Sequence, residues 1–560
     1  MVKKIISFLN ILSAAGCLVI AILLALEIGF HLSDYNRATF SAIHSVVFFY
    51  FMWDILVRLL IQRGRLTYFV FRPTDLLAFY PFFQAYIPPI MNFAPYLIAQ
   101  TVLMILMVGR VMHINFMFRL LRVKPAQMLI FGFLFIIFIG SLLLSLPIAS
   151  TQPGGVDYVD SLFTASSAVC VTGLITKDTG IDFSFFGQCV ILFLIQIGGL
   201  GIMTFSALLA IILNRTLSHR ESQEFQETYL TFNLSDTFSL ITFIFKFTLL
   251  FEAVGAVILY FSWSSDYDTV YKAVFSSIFH SVSAFCNAGF STFSDSFTCY
   301  AVNPVIILTV SSLIIVGGIG FPVILNIKRR IFSRGKFIRL RLHTKMVLVV
   351  TLVLLLAGTA VIFLNEYNHG LAGYSIWQKG LISFFHSVSA RTCGFNSVDL
   401  NMFGKGSLLI LMVLMYIGAS AGSTGGGVKT TTVGVLLTAV WNNLRGHTQI
   451  EAGKRVLNMD VILKALSIVV LSALIIVIFF FLVLLAGGEG FLPHFFETVS
   501  AFGTVGLSLG VTKYLSILGK VFIMMVMFIG RLGPLTVAFA LSRRKPKPNY
   551  SYPEENVLIA

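Results

Sequence analysis

SLFTASSAVCVTGL (161–174), SSIFHSVSAFCNAGF (276–290), LISFFHSVSARTCGF (381–395) and PHFFETVSAFGTVGL (493–507) are four versions of one segment. Each is a short apolar run leading through small residues to a glycine: Gly173, Gly289, Gly394 and Gly506, separated by 116, 105 and 112 residues. The string FHSVSA stands verbatim at 279–284 and again at 385–390. A second pattern follows each segment. It reads Ile197-Gly198-Gly199-Leu200-Gly201, Val316-Gly317-Gly318-Ile319-Gly320, Ile417-Gly418-Ala419-Ser420-Ala421-Gly422 and Ile529-Gly530-Arg531-Leu532-Gly533. The first glycine of each cluster falls 25, 28, 24 and 24 residues after the glycine that ends the segment. Recurrence at two places in one unit marks an internal repeat from about residue 126 onward.

The surrounding composition is that of a membrane protein. The chain of 560 residues is 57% hydrophobic and 11% charged, with 56 phenylalanines; soluble domains carry about 25% charge. Apolar runs long enough to cross roughly 30 Å of hydrocarbon as helices fall near 5–30, 40–61, 74–92, 94–120, 126–148, 184–213, 237–263, 303–327, 344–365, 405–440, 461–487 and 514–541. The net charge of +15 gathers in short connections, among them Arg58 to Arg72, Arg119 to Lys124, Lys328 to Lys345 and Arg543 to Lys547. By the positive-inside rule these connections and both termini face the cytoplasm of a multi-pass cell-membrane protein. Nucleic-acid binding is not expected from basic residues so placed. Six cysteines form no CxxC pair and no metal spacing, so no disulfide scaffold, metal cluster or cofactor is expected. Cys170, Cys286 and Cys393 beside the glycines read as small apolar packing.

An apolar run of about 12 residues is too short to span the bilayer, so each repeated segment is expected to dip in and return. Non-helical backbone at membrane depth is tolerated where protein buries it or where it lines a watery path. Four such loops about one axis would present rings of carbonyls able to replace a cation's hydration shell. Glycine suits the turn because it reaches backbone conformations costly for other residues. Tight helix contact through small residues explains any one patch, but not four short runs each ending on a glycine.

These four units resemble the Trk/Ktr/HKT superfamily of potassium transporters, nearest its KtrB and TrkH membrane subunits, over about 126–545. The resemblance implies an all-α polytopic membrane protein with four M1-P-M2 repeats around one pore, here preceded by four further transmembrane helices. The pore repeats would be 126–220, 221–335, 336–445 and 446–545, followed by a cytoplasmic tail over 546–560. It implies a potassium filter at Gly173, Gly289, Gly394 and Gly506, lined by carbonyls of Val171 and Thr172, Asn287 and Ala288, Thr392 and Cys393, Thr504 and Val505. Glycine in all four filters goes with potassium in that superfamily, and serine in the first goes with sodium. The third filter departs from the pattern. It runs five residues from Ser389 to Gly394 where the others run six, and it carries Arg391, read as a brace behind the filter.

The run Gly418-Ala419-Ser420-Ala421-Gly422-Ser423-Thr424-Gly425-Gly426-Gly427 interrupts the span 405–440. Five glycines and their small neighbours cannot hold a regular helix. An unwound loop over 417–428 is expected, and the resemblance makes it an intramembrane gate. Gly422 to Thr430 approaches a phosphate-binding loop, but Val428 intrudes and no strand precedes it. Arg531 fills the slot held by Gly199, Gly318 and Ala419. A bilayer arginine costs roughly 3 kcal/mol unless it meets carbonyls or water, so Arg531 is expected to face the pore or the loop.

Residues 1–125 carry few ionisable side chains. Phe51, Asp54, Asp75, Arg110, Arg119 and Arg122 resemble the charge-transfer positions of a depleted voltage-sensor domain. The reading is therefore passive, potential-driven potassium uptake and no enzymatic activity. A sodium-coupled or sodium-permeable transporter, of the same or an inverted-repeat class, is the alternative. The resemblance further implies a homodimer above a cytoplasmic RCK-type nucleotide-binding subunit.

Overall fold

A computed structural model of the chain describes residues 53, 125–152, 154–214, 234–332, 339–447, 449–453 and 455–541. Among them the secondary structure is helical, with three isolated bridges and no strand. The positions read as sensor-like, Phe51, Asp54, Asp75, Arg110, Arg119 and Arg122, lie outside the described residues, as does the tail beyond 541.

In chain order the helices are α1 (Pro125–Leu144), α2 (Tyr158–Cys170), α3 (Phe185–Asn214), α4 (Leu234–Trp263), α5 (Val270–Phe285), α6 (Pro304–Ile319) and α7 (Phe321–Phe332). They continue as α8 (Leu342–Glu366), α9 (Ile376–Ser389), α10 (Lys405–Tyr416), α11 (Thr430–Leu444), α12 (Met459–Leu485), α13 (Phe491–Gly503), α14 (Ile517–Leu532) and α15 (Pro534–Leu541). Among the described residues, three helical stretches, Ile241–Asp266, Leu342–Glu366 and Met459–Leu485, are long and apolar enough to cross a membrane. Two bent pairs, Pro304–Ile319 with Phe321–Ile331 and Ile517–Leu532 with Pro534–Ala540, raise that to five.

The short helices α2, α5, α9 and α13 have 13, 16, 14 and 13 residues. At 1.5 Å per residue they reach about 20–24 Å, less than the hydrocarbon thickness. α5 packs between α4 and α6 and α13 between α12 and α14, whereas α9 packs against α8 before it and against α6 of the preceding unit.

The backbone clusters into two compact units. The described part of the first is 53, 137–152, 154–165 and 177–193. It is tied by Ser184 N–H donating to Ala149 O (3.0 Å) and Thr151 N–H to Asp182 O (3.0 Å). The described part of the second unit is 125–136, 166–176 and the described residues from 194 onward. Its turns are fixed by caps. Asn303 caps α6 ahead of Pro304, and Ser375 with Gln378 forms a capping box on α9, each supplying acceptors to otherwise orphaned amides.

Aromatic packing secures the returns that follow α5 and α9. Buried Trp263 donates to Ser277 Oγ (2.8 Å), and its ring meets His280, Phe293 and Phe297. His280 and His386, from the two copies of FHSVSA, face Ser291 (3.0 Å) and Ser397 (3.4 Å) on their own return segments. Phe297 N–H donates to Asn396 O (2.9 Å), joining the two returns.

Two of the apolar runs read from sequence as single spans are sharply bent. Both 303–327 and 514–541 contain a 95° turn, at Gly320 (φ +97°) and Gly533 (φ +87°). The signal was present in Gly320-Phe321-Pro322 and Gly533-Pro534. Proline cannot continue a helix but starts one well, so the axis breaks at the glycine and resumes at once.

Candidate functional site

The four glycines at the ends of the repeated segments meet in one ring. A β-carbon placed on Gly173 would collide with Ala288 O, one on Gly289 with Cys393 O, one on Gly394 with Val505 O, and one on Gly506 with Thr172 O. The sequence of contacts closes on itself. Each glycine sits against the carbonyl that precedes the next glycine, and no other residue fits there. All four glycines have positive φ, between +70° and +95°.

Two positions before each glycine the backbone is left-handed again, at Val171 (φ 56°), Asn287 (φ 60°), Thr392 (φ 80°) and Thr504 (φ 49°). Three of these are β-branched, for which positive φ is strongly disfavoured. Strain of about 1–3 kcal/mol at each residue persists only where the surroundings fix it, and it concentrates at functional sites. Val171 to Gly173, Asn287 to Gly289, Thr392 to Gly394 and Thr504 to Gly506, with Ala288, Cys393 and Val505 among them, are thus brought together with alike backbones. Every one of them is buried or nearly so.

One serine per segment, the residue from which the filter length is counted, closes each turn. Ser167 O accepts from Thr172 N–H (2.8 Å), Ser283 O from Ala288 N–H (2.7 Å) and Ser500 O from Val505 N–H (2.9 Å). The Ser167 and Ser500 hydroxyls accept from the Gly173 and Gly506 amides, both at 3.1 Å. Those of Ser283 and Ser389 instead donate to the carbonyls beyond the glycines, Phe290 O and Phe395 O. In the short third segment Ser389 O takes both Cys393 N–H (2.9 Å) and Gly394 N–H (3.2 Å). The missing residue is absorbed before Thr392, and the last three positions keep their conformation. Arg391 is 7% exposed, and its Nε has no hydrogen-bond partner.

The repeated cluster glycines explain how the next helix comes so near. A β-carbon on Gly198, Gly317 or Gly530 would strike Val169 O, Phe285 O or Phe502 O, at the end of α2, α5 or α13. In the third unit this packing is replaced. α10 stops at Tyr416, α11 begins at Thr430, and the backbone between is irregular.

That stretch is held by the clusters of the other units. Ser420 N–H donates to Gly318 O (3.0 Å), Thr424 N–H to Gly317 O (3.3 Å) and Gly427 N–H to Gly530 O (3.3 Å). Gly422 O accepts from Phe321 N–H (2.9 Å), an amide released by the bend at Gly320. Arg531 donates from Nη1 to Thr424 O and from Nη2 to Gly198 O (2.5 Å). Carbonyls thus meet the buried guanidinium, as burial of a cation demands. Lys429, just beyond the loop bounds expected from sequence, reaches back to Gly425 O (2.7 Å). Gly426 N–H donates to Thr504 Oγ1 (3.0 Å) and Thr424 Oγ1 donates to Phe285 O (3.3 Å), so the loop touches the ring's supports directly. Gly418, Ala419, Ala421, Ser423 and Gly425 complete it; a β-carbon on Gly425 would clash with Thr392 Oγ1.

Asn287, with its amide oxygen accepting from Thr392 Oγ1 (3.0 Å) and its nitrogen facing Ile314 O (3.2 Å) and Ala284 O (3.0 Å), crosslinks the second and third turns. Cys170, Cys286 and Cys393 are buried free thiols. Among the described residues no group of His, Cys, Asp or Glu could hold a metal.

Comparison with known proteins identifies the family. The TrkH family, "Cation transport protein", matches residues 125–552. The Ktr system potassium uptake protein B of Bacillus subtilis is 39% identical over 444 residues, 78% of this chain and 97% of that protein. The protein of the same description from Vibrio alginolyticus is 41% identical over 435 residues, 77% of this chain and 94% of its own length. The potassium/sodium uptake protein NtpJ of Enterococcus hirae is 37% identical over 447 residues, 78% of this chain and 98% of its own. The crystal structure of the potassium transporter TrkH from Vibrio parahaemolyticus shares the fold, with TM-score 0.61 at 18% identity over 84% of this chain and 95% of that one. A family match spanning all four glycines and the interrupted helix leaves one conclusion: the chain belongs to the TrkH family of cation transport proteins, multi-pass membrane transporters and not enzymes.

Proposed function

We propose that the chain takes up potassium passively, driven by the membrane potential, through one pore built from repeats 126–220, 221–335, 336–445 and 446–545. The observation that carries this reading is the closed cycle of glycine-to-carbonyl contacts through Gly173, Gly289, Gly394 and Gly506. Backbone that approaches so closely in a ring offers an ion only carbonyl oxygens, the ligand set that replaces a monovalent cation's water. The loop 417–428, pinned through Arg531 and Lys429, is the gate. The arginine's fixed charge opposes a cation until the loop moves.

The names of the relatives support potassium as the substrate, and the enterococcal one, named for potassium and sodium, favours sodium permeability as a second reading. Relatives named as protein B of a Ktr system support a partner subunit. We take it to be an RCK-type nucleotide-binding ring under a homodimer, with both termini cytoplasmic and residues 1–125 a largely static sensor-like module. Expression in a potassium-transport-deficient strain tests the substrate. Rubidium uptake should exceed sodium uptake and persist without sodium, and uptake that requires sodium would replace this reading by the second. Nucleotide bound by the purified chain alone in calorimetry would remove the need for the partner.

A further inference from the structure

Glu252 is an ionisable side chain at membrane depth that the transport reading does not use. It is the twelfth of 26 residues in the crossing stretch Ile241–Asp266 and is 6% exposed. Comparison of the repeats shows what it replaces. Ser281 Oγ donates to Glu252 O (2.7 Å) and Ser387 Oγ to Leu355 O (2.9 Å). β-carbons on Gly255 and Gly358, three residues further along each helix, would meet those same serines. The carboxyl therefore stands where the next unit has leucine. Its neighbours differ in the same way. Gln196, two residues before Gly198, corresponds to Ile315 before Gly317, and Cys286, three before Gly289, corresponds to Arg391 before Gly394. Ile315, Leu355 and Arg391 line one small cavity between α6, α8 and α9. Gln196, Glu252 and Cys286 bond to one another instead.

Among the described residues the carboxyl meets Gln196 Nε2 at Oε2 (3.2 Å) and Cys286 Sγ at Oε1 (3.9 Å), while Cys286 Sγ lies 3.5 Å from Gln196 Oε1. The thiol has one hydrogen, and the nearer of its two acceptors is the Gln196 oxygen. Glu252 Oε1 then faces a sulfur with no hydrogen left to give, and an ionised carboxylate can only accept. A protonated carboxyl donates there instead. The three groups then close a cycle in which each gives one hydrogen bond and takes one. Ionisation would break the cycle and leave a charge at mid-membrane depth answered by two dipoles, a costly arrangement. The cycle also lies where it can act on the ion path. Cys286 directly precedes Asn287, whose left-handed backbone opens the second filter turn, and a β-carbon on Gly199 of α3 would strike Cys286 Sγ. The first and second units meet in the ring where Gly173 rests on Ala288 O, and the cycle joins the same two units. We propose that Glu252, carrying its proton, is a positioning residue for the second filter turn, holding it through Gln196 and Cys286 in register with the first. This role rests on the ring being the cation path.

The test takes two measurements on the full chain. Infrared difference spectra of the parent against Glu252→Gln, at neutral pH where exposed carboxyls are ionised, should show the carbonyl stretch of a protonated carboxyl in the parent alone. Bilayer recordings then give the rubidium-to-sodium permeability ratio. Glu252→Gln, whose amide can both donate and accept, should keep the parent ratio. Glu252→Leu, the side chain of the next unit, should lower it several-fold. Gln196→Met, which breaks the cycle from the other helix in case Glu252→Leu does not fold, should lower it likewise. A merely structural role would move the unfolding temperature and leave the ratio alone. Absence of the carboxyl band would overturn the proposal, as would parent ratios in Glu252→Leu or Gln196→Met, or a Glu252→Gln ratio that falls as far as that of Glu252→Leu. A parent that does not discriminate rubidium from sodium would strike the transport reading and this role with it, whereas a discriminating parent with indifferent variants strikes this role only.

Discussion

The glycine clusters of the second and fourth units and that of the third occupy the same place in the repeat and give different structures. In the former one glycine turns the helix by 95° and a new helix follows immediately. In the latter thirteen residues, 417 to 429, separate α10 from α11. The first unit shows a third outcome: α3 runs through Ile197 to Gly201 unbroken. Proline separates the cases. Pro322 and Pro534 stand one or two residues beyond Gly320 and Gly533, whereas Ile202 and Met203 follow Gly201. A proline forbids the hydrogen bond that would carry the helix across and favours a fresh start. In the third unit no proline follows, and the cluster simply lengthens until the helix cannot form. The bends then serve the loop, because the amide freed at Phe321 and the carbonyls at Gly317, Gly318 and Gly530 are what the loop bonds to.

The largest effect should come from removing the loop of the third unit. Deleting Ala421 to Gly425 takes away the loop's contacts to Gly317 and Arg531, and rubidium efflux from proteoliposomes should rise about tenfold or more, as a barrier lowered by about 1.4 kcal/mol would give. Arg531→Ala should move flux the same way. Parent-rate flux in both would mean the loop is no barrier, and the contrast between units would be structural only.

Gly173→Ser comes next. Its β-carbon meets Ala288 O, opening the ring on one side. The rubidium-to-sodium permeability ratio should fall several-fold in bilayer recordings, and an unchanged ratio would detach selectivity from the ring.

The bends themselves can be compared at one slot. Gly533 has φ +87° whereas Gly201 is helical with ordinary contacts, the nearest at 3.7 Å. Gly533→Ala should therefore lower stability by about 1 kcal/mol or more, and Gly201→Ala should raise it by roughly 0.5–1 kcal/mol. Thermal unfolding in detergent measures both. Equal shifts of one sign would erase the distinction drawn here.

The smallest change is expected at the serine ties. Ser500→Ala removes the acceptor for the Gly506 amide (3.1 Å), and a loss near 1 kcal/mol follows from one hydrogen bond. Ser283→Ala, whose hydroxyl donates to Phe290 O instead, should cost a like amount. A marked loss at Ser500 alone would show that the two kinds of tie are not equivalent.

Much of this was legible in the chain itself. Spacing fixed which glycines correspond, since only local recurrence was needed, and the run Gly418 to Gly427 declared its own irregularity through helix propensity. Composition declared the membrane. What could not be read is everything that depends on one unit meeting another. Nothing local says that Gly173 rests on Ala288 while Gly506 rests on Thr172, because those contacts join residues 115 and 334 positions apart. Nor does spacing tell that Arg531 bridges Thr424 to Gly198 through its two Nη atoms, while the Nε of Arg531 and that of Arg391 are both buried without a partner. Charge and burial follow from residue type. Which buried charge is answered, and by what, is set only when the helices pack.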